Sequence, residues 1–245
     1  MTPPDEAVPR PGASRTPLRR HVFRAALLLA AALLLYEGSF FARILWWRTH
    51  APGTTAFMRA RLAELRRRDP SAALDQTWVP YGRISLQLKR AVVAAEDAKF
   101  LSHEGFDWEE IGKARERNEA RGRVVRGAST ITQQLAKNLF LSGRRSWARK
   151  GQEALIALML EAALDKRRIL ELYLNVIEWG ERTYGAEAAA RRYFGAGAAE
   201  LTAEQAARLA AMIPNPRFYE RRGVTGYLAR RSDVIRARME QVRAP

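Results

Sequence analysis

Apolar positions recur at helical spacing along most of this chain. In the segment 85–100 they include Leu86, Leu88, Val92 and Ala95, and the segments 149–164 and 166–175 are more strongly apolar. Intervals of three and four residues place side chains on one face of an α-helix, whereas a half-buried strand needs strict alternation. No segment shows convincing alternation. The pattern predicts an all-α domain from about residue 55 onwards.

Signals for helix starts refine this picture. Thr130 and Thr202 are followed three residues later by Gln133 and Gln205, the spacing at which a threonine caps a helix. By contrast, the stretch 109–127 is polar, and we expect it to be a mobile or surface-lying segment between helices.

An uninterrupted apolar run, Ala25 to Tyr36, lies ahead of the helical domain. It is shorter than the roughly 20 residues that span a bilayer. It reaches Ala42 if Glu37 is tolerated near the outer interface, and four aromatic residues then supply an interfacial belt: Phe40, Phe41, Trp46 and Trp47. We therefore expect a transmembrane anchor and aromatic interface segment over 21–47.

The segment before the anchor, residues 1–20, is rich in proline and arginine and is expected to be a disordered basic tail. Basic residues on this flank place the N-terminus in the cytoplasm and the domain outside. Two alternatives for the apolar run are a cleaved signal peptide, for which no small-x-small site stands at the right distance, and a buried core helix.

Charge narrows the range of partners. The chain carries 42 lysines and arginines against 26 acidic residues, a formal net charge of +16. Such a surface favours nucleic acid, an anionic membrane face or a phosphate-bearing substrate. The absence of cysteine excludes disulfides, cysteine-based zinc sites and thiol catalysis.

Candidate chemistry begins in the helix expected after Thr130. Gln134, Lys137 and Asn138 lie one turn apart and project to one side, a face that suits a sugar phosphate. Upstream, Glu96 stands among apolar neighbours. Such surroundings raise a carboxyl pKa and make the group useful for proton transfer near neutral pH.

Five ordered motifs resemble the peptidoglycan glycosyltransferase (transglycosylase) family. They are EDAKFLSHEG at 96–105, RGASTITQQLAKN at 126–138, RKGQE at 149–153, KRRILELYLN at 166–175 and YGAEAAARRYFG at 184–195. The resemblance covers about residues 55–220 and implies a lysozyme-like helical glycosyltransferase domain, with 221–245 as a basic helical extension. No S-x-x-K or K-T-G motif occurs, so the chain resembles the monofunctional type without a transpeptidase domain.

The resemblance also implies a reaction and two catalytic carboxylates. The growing lipid-linked glycan is transferred onto the 4-hydroxyl of lipid II, with inversion to a β-1,4 linkage and release of undecaprenyl diphosphate. Glu96 is the general base. Glu153 either assists departure of the diphosphate or helps to hold a divalent metal, Mg²⁺ or Mn²⁺. No other cofactor is implied.

Further residues are assigned to the substrate by the same resemblance. Cations neutralise the diphosphate and lipid headgroup: Lys137, Arg145, Arg149 and Lys150. Thr130, Gln134 and Asn138 lie in the substrate cleft, where the two amides contact sugar or pyrophosphate oxygens. Phe100 and His103 shape the donor site, although His103 fits a structural role equally well. Glu171, Tyr173 and Asn175 are interpreted as scaffold that holds the cleft.

The implied partners are lipid II, lipid-linked glycan chains, the bilayer and other cell-wall synthesis or division proteins, at the bacterial inner membrane with the catalytic domain periplasmic. A membrane-anchored lytic or hydrolytic muramidase is the rival enzyme, but it needs no cations for a pyrophosphate. A basic nucleic-acid-binding protein is the non-enzymatic alternative. It predicts no clustered carboxylates in a cleft, and we expect no nucleic acid partner.

Overall fold

Helices make up most of the protein. The computed structural model describes residues 16–122, 127–141 and 146–245. Helix accounts for 67% and strand for 2%, which confirms the all-α prediction. The helices are α1 (Thr16–Trp46), α2 (Ala56–Arg66), α3 (Leu86–Glu96), α4 (Trp108–Ala120), α5 (Ile131–Phe140), α6 (Trp147–Ala163), α7 (Lys166–Val176), α8 (Ala186–Phe194), α9 (Ala203–Met212), α10 (Pro216–Arg222) and α11 (Gly226–Arg238).

The chain divides into two units after Phe40. The described part of the first unit belongs to α1, whose leucines are exposed: Leu28, Leu34 and Leu35 each expose more than 70% of their surface. Within α1, the stretch Arg19–Trp46 is long and apolar enough to cross a membrane. The helix continues through Glu37, so its length is not limited by the short apolar run, and it begins at Thr16, ahead of the expected anchor boundary.

In the second unit, α5 packs against α2, α6 and α7. Its apolar face consists of Ile131, Leu135 and Leu139, all at most 2% exposed, and α7 contributes the fully buried Ile169 and Leu172. Burying such a side chain stabilises the fold by about 2 kcal/mol. The polar face of α5 is thereby held at a fixed orientation. A separate group of three helices, α3, α9 and α11, packs together.

The predicted capping signals at α5 and α9 are confirmed. Thr130 accepts from the backbone of Gln133, whose side chain accepts from the backbone of Thr130, and Thr202 and Gln205 form the same reciprocal pair. Each box pairs two backbone amides that the first helical turn leaves without a partner.

Two features differ from the sequence-based expectation. The polar stretch after Asp107 is helical as α4, because Asp107 accepts from the backbone of Glu110 and Arg115 pairs with Glu119 one turn on. Ala114 is the buried residue of α4, so the helix does lie on the surface. Two short parallel strands also occur, β1 (Asp75–Gln76) and β2 (Thr183–Tyr184).

Asn175 at the end of α7 fastens the loop that follows β1. Its Oδ1 accepts from the backbone of Val79 at 2.9 Å, and its Nδ2 donates to the carbonyl of Val79 at 3.0 Å. The backbone of Gly185 passes so close that a Cβ there would lie 2.7 Å from the carbonyl oxygen of Asn175. Its φ of 81° also favours glycine. Asn175 thus has the scaffold position expected for it.

Candidate active site

Glu96 is the last residue of α3 and lines a cavity of about 320 Å³. Its Oε2 accepts a hydrogen bond from Nε2 of Gln134 at 2.8 Å, and its Oε1 lies 3.7 Å from Nη2 of Arg231. Burial raises the pKa of Glu96, while the hydrogen bond from Gln134 and the charge of Arg231 act in the opposite direction. A raised pKa makes the ionised carboxylate a stronger proton acceptor, as a general base requires.

Gln134 is itself held from behind by Tyr173. The Tyr173 hydroxyl donates to Oε1 of Gln134 at 2.8 Å. Burial raises the pKa of Tyr173 well above its usual value, so the hydroxyl keeps its proton and remains a donor. The carbonyl end of the amide therefore faces Tyr173, and its NH₂ end faces Glu96.

Asp97 fixes the start of α5 beside the site. Its Oδ2 accepts from the backbone of Ile131 at 3.0 Å, and its Oδ1 lies 2.9 Å from Nε2 of His103. Thr130 adds a second tie, because its hydroxyl donates to the carbonyl of Gly105 at 2.7 Å. Asp97 and Thr130 thus join the end of α3, the loop after it and the first turn of α5.

Three residues expected near the substrate lie in this framework. His103 has its Nε2 committed to Asp97, and its side chain is 9% exposed, which favours the structural alternative. Phe100 is completely buried, with Nζ of Lys166 4.7 Å from the ring centroid. Thr130 is 3% exposed. Because they are buried or nearly so, these three residues can shape the cleft by supporting the residues that line it.

Glu153 forms a second charged centre on α6. It is 4% exposed, its Oε2 accepts from Nη1 of Arg149 at 2.8 Å, and its Oε1 is paired with Nζ of Lys150. Nζ of Lys150 also lies 3.4 Å from the hydroxyl of Ser129. One carboxylate between two cations leaves a net positive charge, which suits an anionic ligand.

The cavity of Glu96 adjoins a second cavity of about 490 Å³, which Lys150 and Gln133 help to line. The segment 127–129 contributes to both cavities. Charged groups from α3 and α6 therefore line two cavities that share one short segment.

The remaining candidates lie on or after α5. Asn138 donates through Nδ2 to the carbonyl of Gln134 at 2.8 Å, and Nζ of Lys137 is 5.9 Å from the ring centroid of Phe57. Both are partly exposed, one turn beyond Gln134. Arg145 lies outside the described residues.

The described side chains do not form a metal site by themselves. No group of three histidine, aspartate or glutamate residues within the described ranges stands close enough to hold an ion. Glu153, the residue expected to assist a metal, has both oxygens paired with cations. Mg²⁺ is usually bound by one or two carboxylates together with substrate phosphates and water, so a metal shared between Glu153 and the diphosphate stays a prediction.

Comparison with known proteins identifies the family. The family model described as Transglycosylase matches residues 62–240, which include Glu96, Gln134, Glu153 and Arg231. The chain belongs to the transglycosylase family. This confirms the resemblance carried by the five motifs and, with it, the predicted enzyme class of peptidoglycan glycosyltransferase.

Several relatives of the transglycosylase are similar over nearly the whole chain. The biosynthetic peptidoglycan transglycosylase of Azoarcus sp. (strain BH72) is 57% identical over 228 residues, covering 93% of this chain and 98% of the relative. The one from Janthinobacterium sp. (strain Marseille) is 54% identical, covering 93% and 99%. That of Bordetella pertussis (strain Tohama I) is 52% identical over 242 residues, covering 97% and 100%.

Two residues that contact the candidate site of this transglycosylase, Asp97 and Arg231, could not be recognised from the sequence. Asp97 stands in the first of the five motifs, where no role is expected for it, and Arg231 lies in the expected basic extension, where nothing in the sequence distinguishes it from neighbouring arginines. Tyr173 was assigned to the scaffold, and its bond to Gln134 is consistent with that assignment. The contact of Arg231 with Glu96 spans a large separation in sequence, which local patterns do not reveal.

Proposed function

We propose that this transglycosylase polymerises the glycan strands of peptidoglycan. The growing lipid-linked glycan is the donor, and lipid II is the acceptor. The 4-hydroxyl oxygen of the acceptor attacks the anomeric carbon of the donor, the bond to the diphosphate breaks, and undecaprenyl diphosphate leaves. One displacement inverts the anomeric centre and produces a β-1,4 linkage.

The position of Glu96 carries this proposal. A single displacement needs a base on the acceptor side, and Glu96 offers a carboxylate of raised pKa at the edge of a cavity. One oxygen is held by Gln134 at 2.8 Å, which orients the group, and the other has no hydrogen bond at such close range within the described chain. That oxygen takes the proton of the acceptor hydroxyl.

Charge on the leaving group is stabilised separately. Arg149 and Lys150 flank the buried Glu153 and neutralise the diphosphate as its charge grows, while Glu153 orients the two cations. Lys137 adds a further cation from α5, with Gln134 and Asn138 close by on the same helix. A hydrolytic muramidase would need no such cations, so their presence favours transfer from a diphosphate donor.

The N-terminal helix fits a membrane role for this enzyme. A helix that can cross a bilayer by length and composition, preceded by basic residues, supports a single-pass inner-membrane protein with a cytoplasmic N-terminus and a periplasmic domain. We assign 1–20 to the tail, 21–47 to the anchor, 55–220 to the glycosyltransferase domain and 221–245 to its extension. Such an anchor keeps the cleft near lipid-linked substrates and near other cell-wall proteins.

Incubation of the purified full-length protein with lipid-linked disaccharide-peptide tests the proposal. Wild type should produce glycan chains that a muramidase digests, and Glu96→Gln should lose roughly a hundredfold or more in rate. Glu104→Gln removes an exposed carboxylate nearby and serves as the matched control. Near-normal polymerisation by Glu96→Gln removes Glu96 from the mechanism, and clearing of purified cell walls by wild type indicates a hydrolase instead.

A further inference from the structure

The C-terminal helix α11 brings a cation to Glu96. Arg231 lies in the first half of α11, which packs against α3 and α9. Its Nη2 is 3.7 Å from Oε1 of Glu96, whereas Gln134 binds the opposite oxygen, Oε2, at 2.8 Å. The carboxylate is therefore approached from two helices that are distant in sequence.

The guanidinium of Arg231 contributes little to holding other parts of the fold together. Its side chain is 29% exposed, and its Nε is buried without a hydrogen-bond partner among the described residues. Two other arginines of α11 differ. Arg230 is exposed, and Arg236 pairs with Glu204 at 3.5 Å. Within the described chain, the ion pair of Arg231 is the one with Glu96, so its charge is directed at that carboxylate.

We propose that Arg231 is a positioning residue that keeps the carboxylate of Glu96 ionised and oriented for proton abstraction. This inference rests on the proposed function, in which Glu96 is the general base. The distance matters for the role. At 3.7 Å the cation favours the charged carboxylate, but it does not occupy Oε1 as a short hydrogen bond would. Oε1 thus stays accessible to the acceptor hydroxyl.

The other charges around Glu96 do not replace this contribution. Asp97 adjoins it and raises its pKa, although the Asp97 oxygens are engaged by His103 and the backbone of Ile131. Gln134 and Tyr173 are neutral. The described ionisable residues that share its cavity carry both signs: Lys99, Asp107, Glu110 and Arg238. On α9, Glu204 pairs with Arg236, and Arg208 lies over the ring of Phe194. Within the described chain, Arg231 is the cation whose charge lowers the pKa of Glu96.

The pH dependence of kcat/KM for polymerisation separates this role from a purely structural one. A general base is active when ionised, so the rate falls on the acidic side as the base takes up a proton. Removing the cation in Arg231→Gln raises the pKa of Glu96 and moves this acidic limb to higher pH. We expect a rate roughly tenfold below wild type on the limb, with the difference closing at higher pH. Arg231→Lys keeps the charge and should restore most of the activity that Arg231→Gln loses on the acidic limb.

Arg230→Gln is the matched control, because it removes the same charge from the same helix at an exposed position. Its profile should superimpose on that of wild type. A loss in Arg231→Gln that is equal at every pH would overturn the proposal, as would an unchanged profile. Circular dichroism and a thermal melt of each variant establish that α11 is folded.

A second measurement needs no substrate. The ¹³C carboxyl resonance of Glu96, assigned by its disappearance in Glu96→Gln, is titrated in glutamate-labelled protein. Its midpoint should lie at higher pH in Arg231→Gln than in wild type or Arg230→Gln, and equal midpoints would refute the inference. If wild type fails to polymerise lipid-linked disaccharide, the proposed function fails, while the resonance still reports whether Arg231 acts on Glu96.

Discussion

Replacing Tyr173 by phenylalanine tests whether the orientation of Gln134 matters for catalysis. The substitution removes one buried hydroxyl, the donor to Oε1 of Gln134 at 2.8 Å. The ring remains to fill its place in the core, where Tyr173 is completely buried. The amide is then no longer fixed with its NH₂ group towards Glu96.

The magnitude follows from the hydrogen bond and its burial. Leaving a fully buried acceptor without its donor costs about 1–3 kcal/mol, and the half-buried Gln134 falls at the lower end, about 1 kcal/mol. For a domain of this size each kcal/mol lowers Tm by roughly 2–4 °C, so this cost corresponds to roughly 2–4 °C. For catalysis, loss of the oriented amide should lower kcat by about tenfold, the equivalent of roughly 1.4 kcal/mol in the barrier.

The assay combines polymerisation kinetics with a thermal melt in detergent. Tyr184→Phe is the matched control, because Tyr184 is also completely buried and donates through its hydroxyl to Glu178 at 3.3 Å, away from Glu96. We expect Tyr184→Phe to lower Tm without lowering kcat, and Tyr173→Phe to lower both. If Tyr173→Phe lowers Tm alone, Tyr173 does not act through Gln134.

Three further predictions follow from the site and the anchor. Lys137→Ala should lower both kcat and substrate affinity while Lys137→Arg recovers part of each, and steady-state kinetics showing two silent variants would place Lys137 away from the diphosphate. Glu153→Gln should destabilise the domain by about 1–2 kcal/mol in a thermal melt, because Arg149 and Lys150 lose their shared charged acceptor, with Lys150 partly solvated. Deletion of 1–47 should leave activity in detergent but abolish carbonate-resistant membrane association, and persistence of that association in a sedimentation assay would contradict the assigned anchor.

Local sequence signals were enough to locate the helices around the site. The threonine–glutamine spacing at Thr130 and Thr202 predicted both capping boxes, because a cap depends on residues within one turn. The helix α4 was not predicted, since it buries only Ala114 and has no apolar stripe; its signal was the cap at Asp107 followed by two glutamates. The strands β1 and β2 have two residues each, too few for any alternation to register.

The site was predicted as residues but not as contacts. The motif glutamates, Glu96 and Glu153, could be named because each stands in a short pattern. The contacts of the site are of two sorts, local and long-range. Arg149 and Lys150 lie within one turn of Glu153, whereas Tyr173 meets Gln134 across 39 residues, and Arg231 reaches Glu96 from another helix. The long-range contacts depend on how α3, α5, α7 and α11 pack, which local sequence patterns do not reveal.

The chain of hydrogen bonds from Tyr173 through Gln134 to Glu96 has a consequence for antibiotic resistance. A compound anchored on the amide of Gln134 could be evaded by a mutation that removes this amide. Such a mutation would leave the Tyr173 hydroxyl buried without its acceptor and would take from Glu96 the donor that orients it. A resistant cell would therefore build its wall with a slower and less stable enzyme, and selection for growth would oppose the escape mutation.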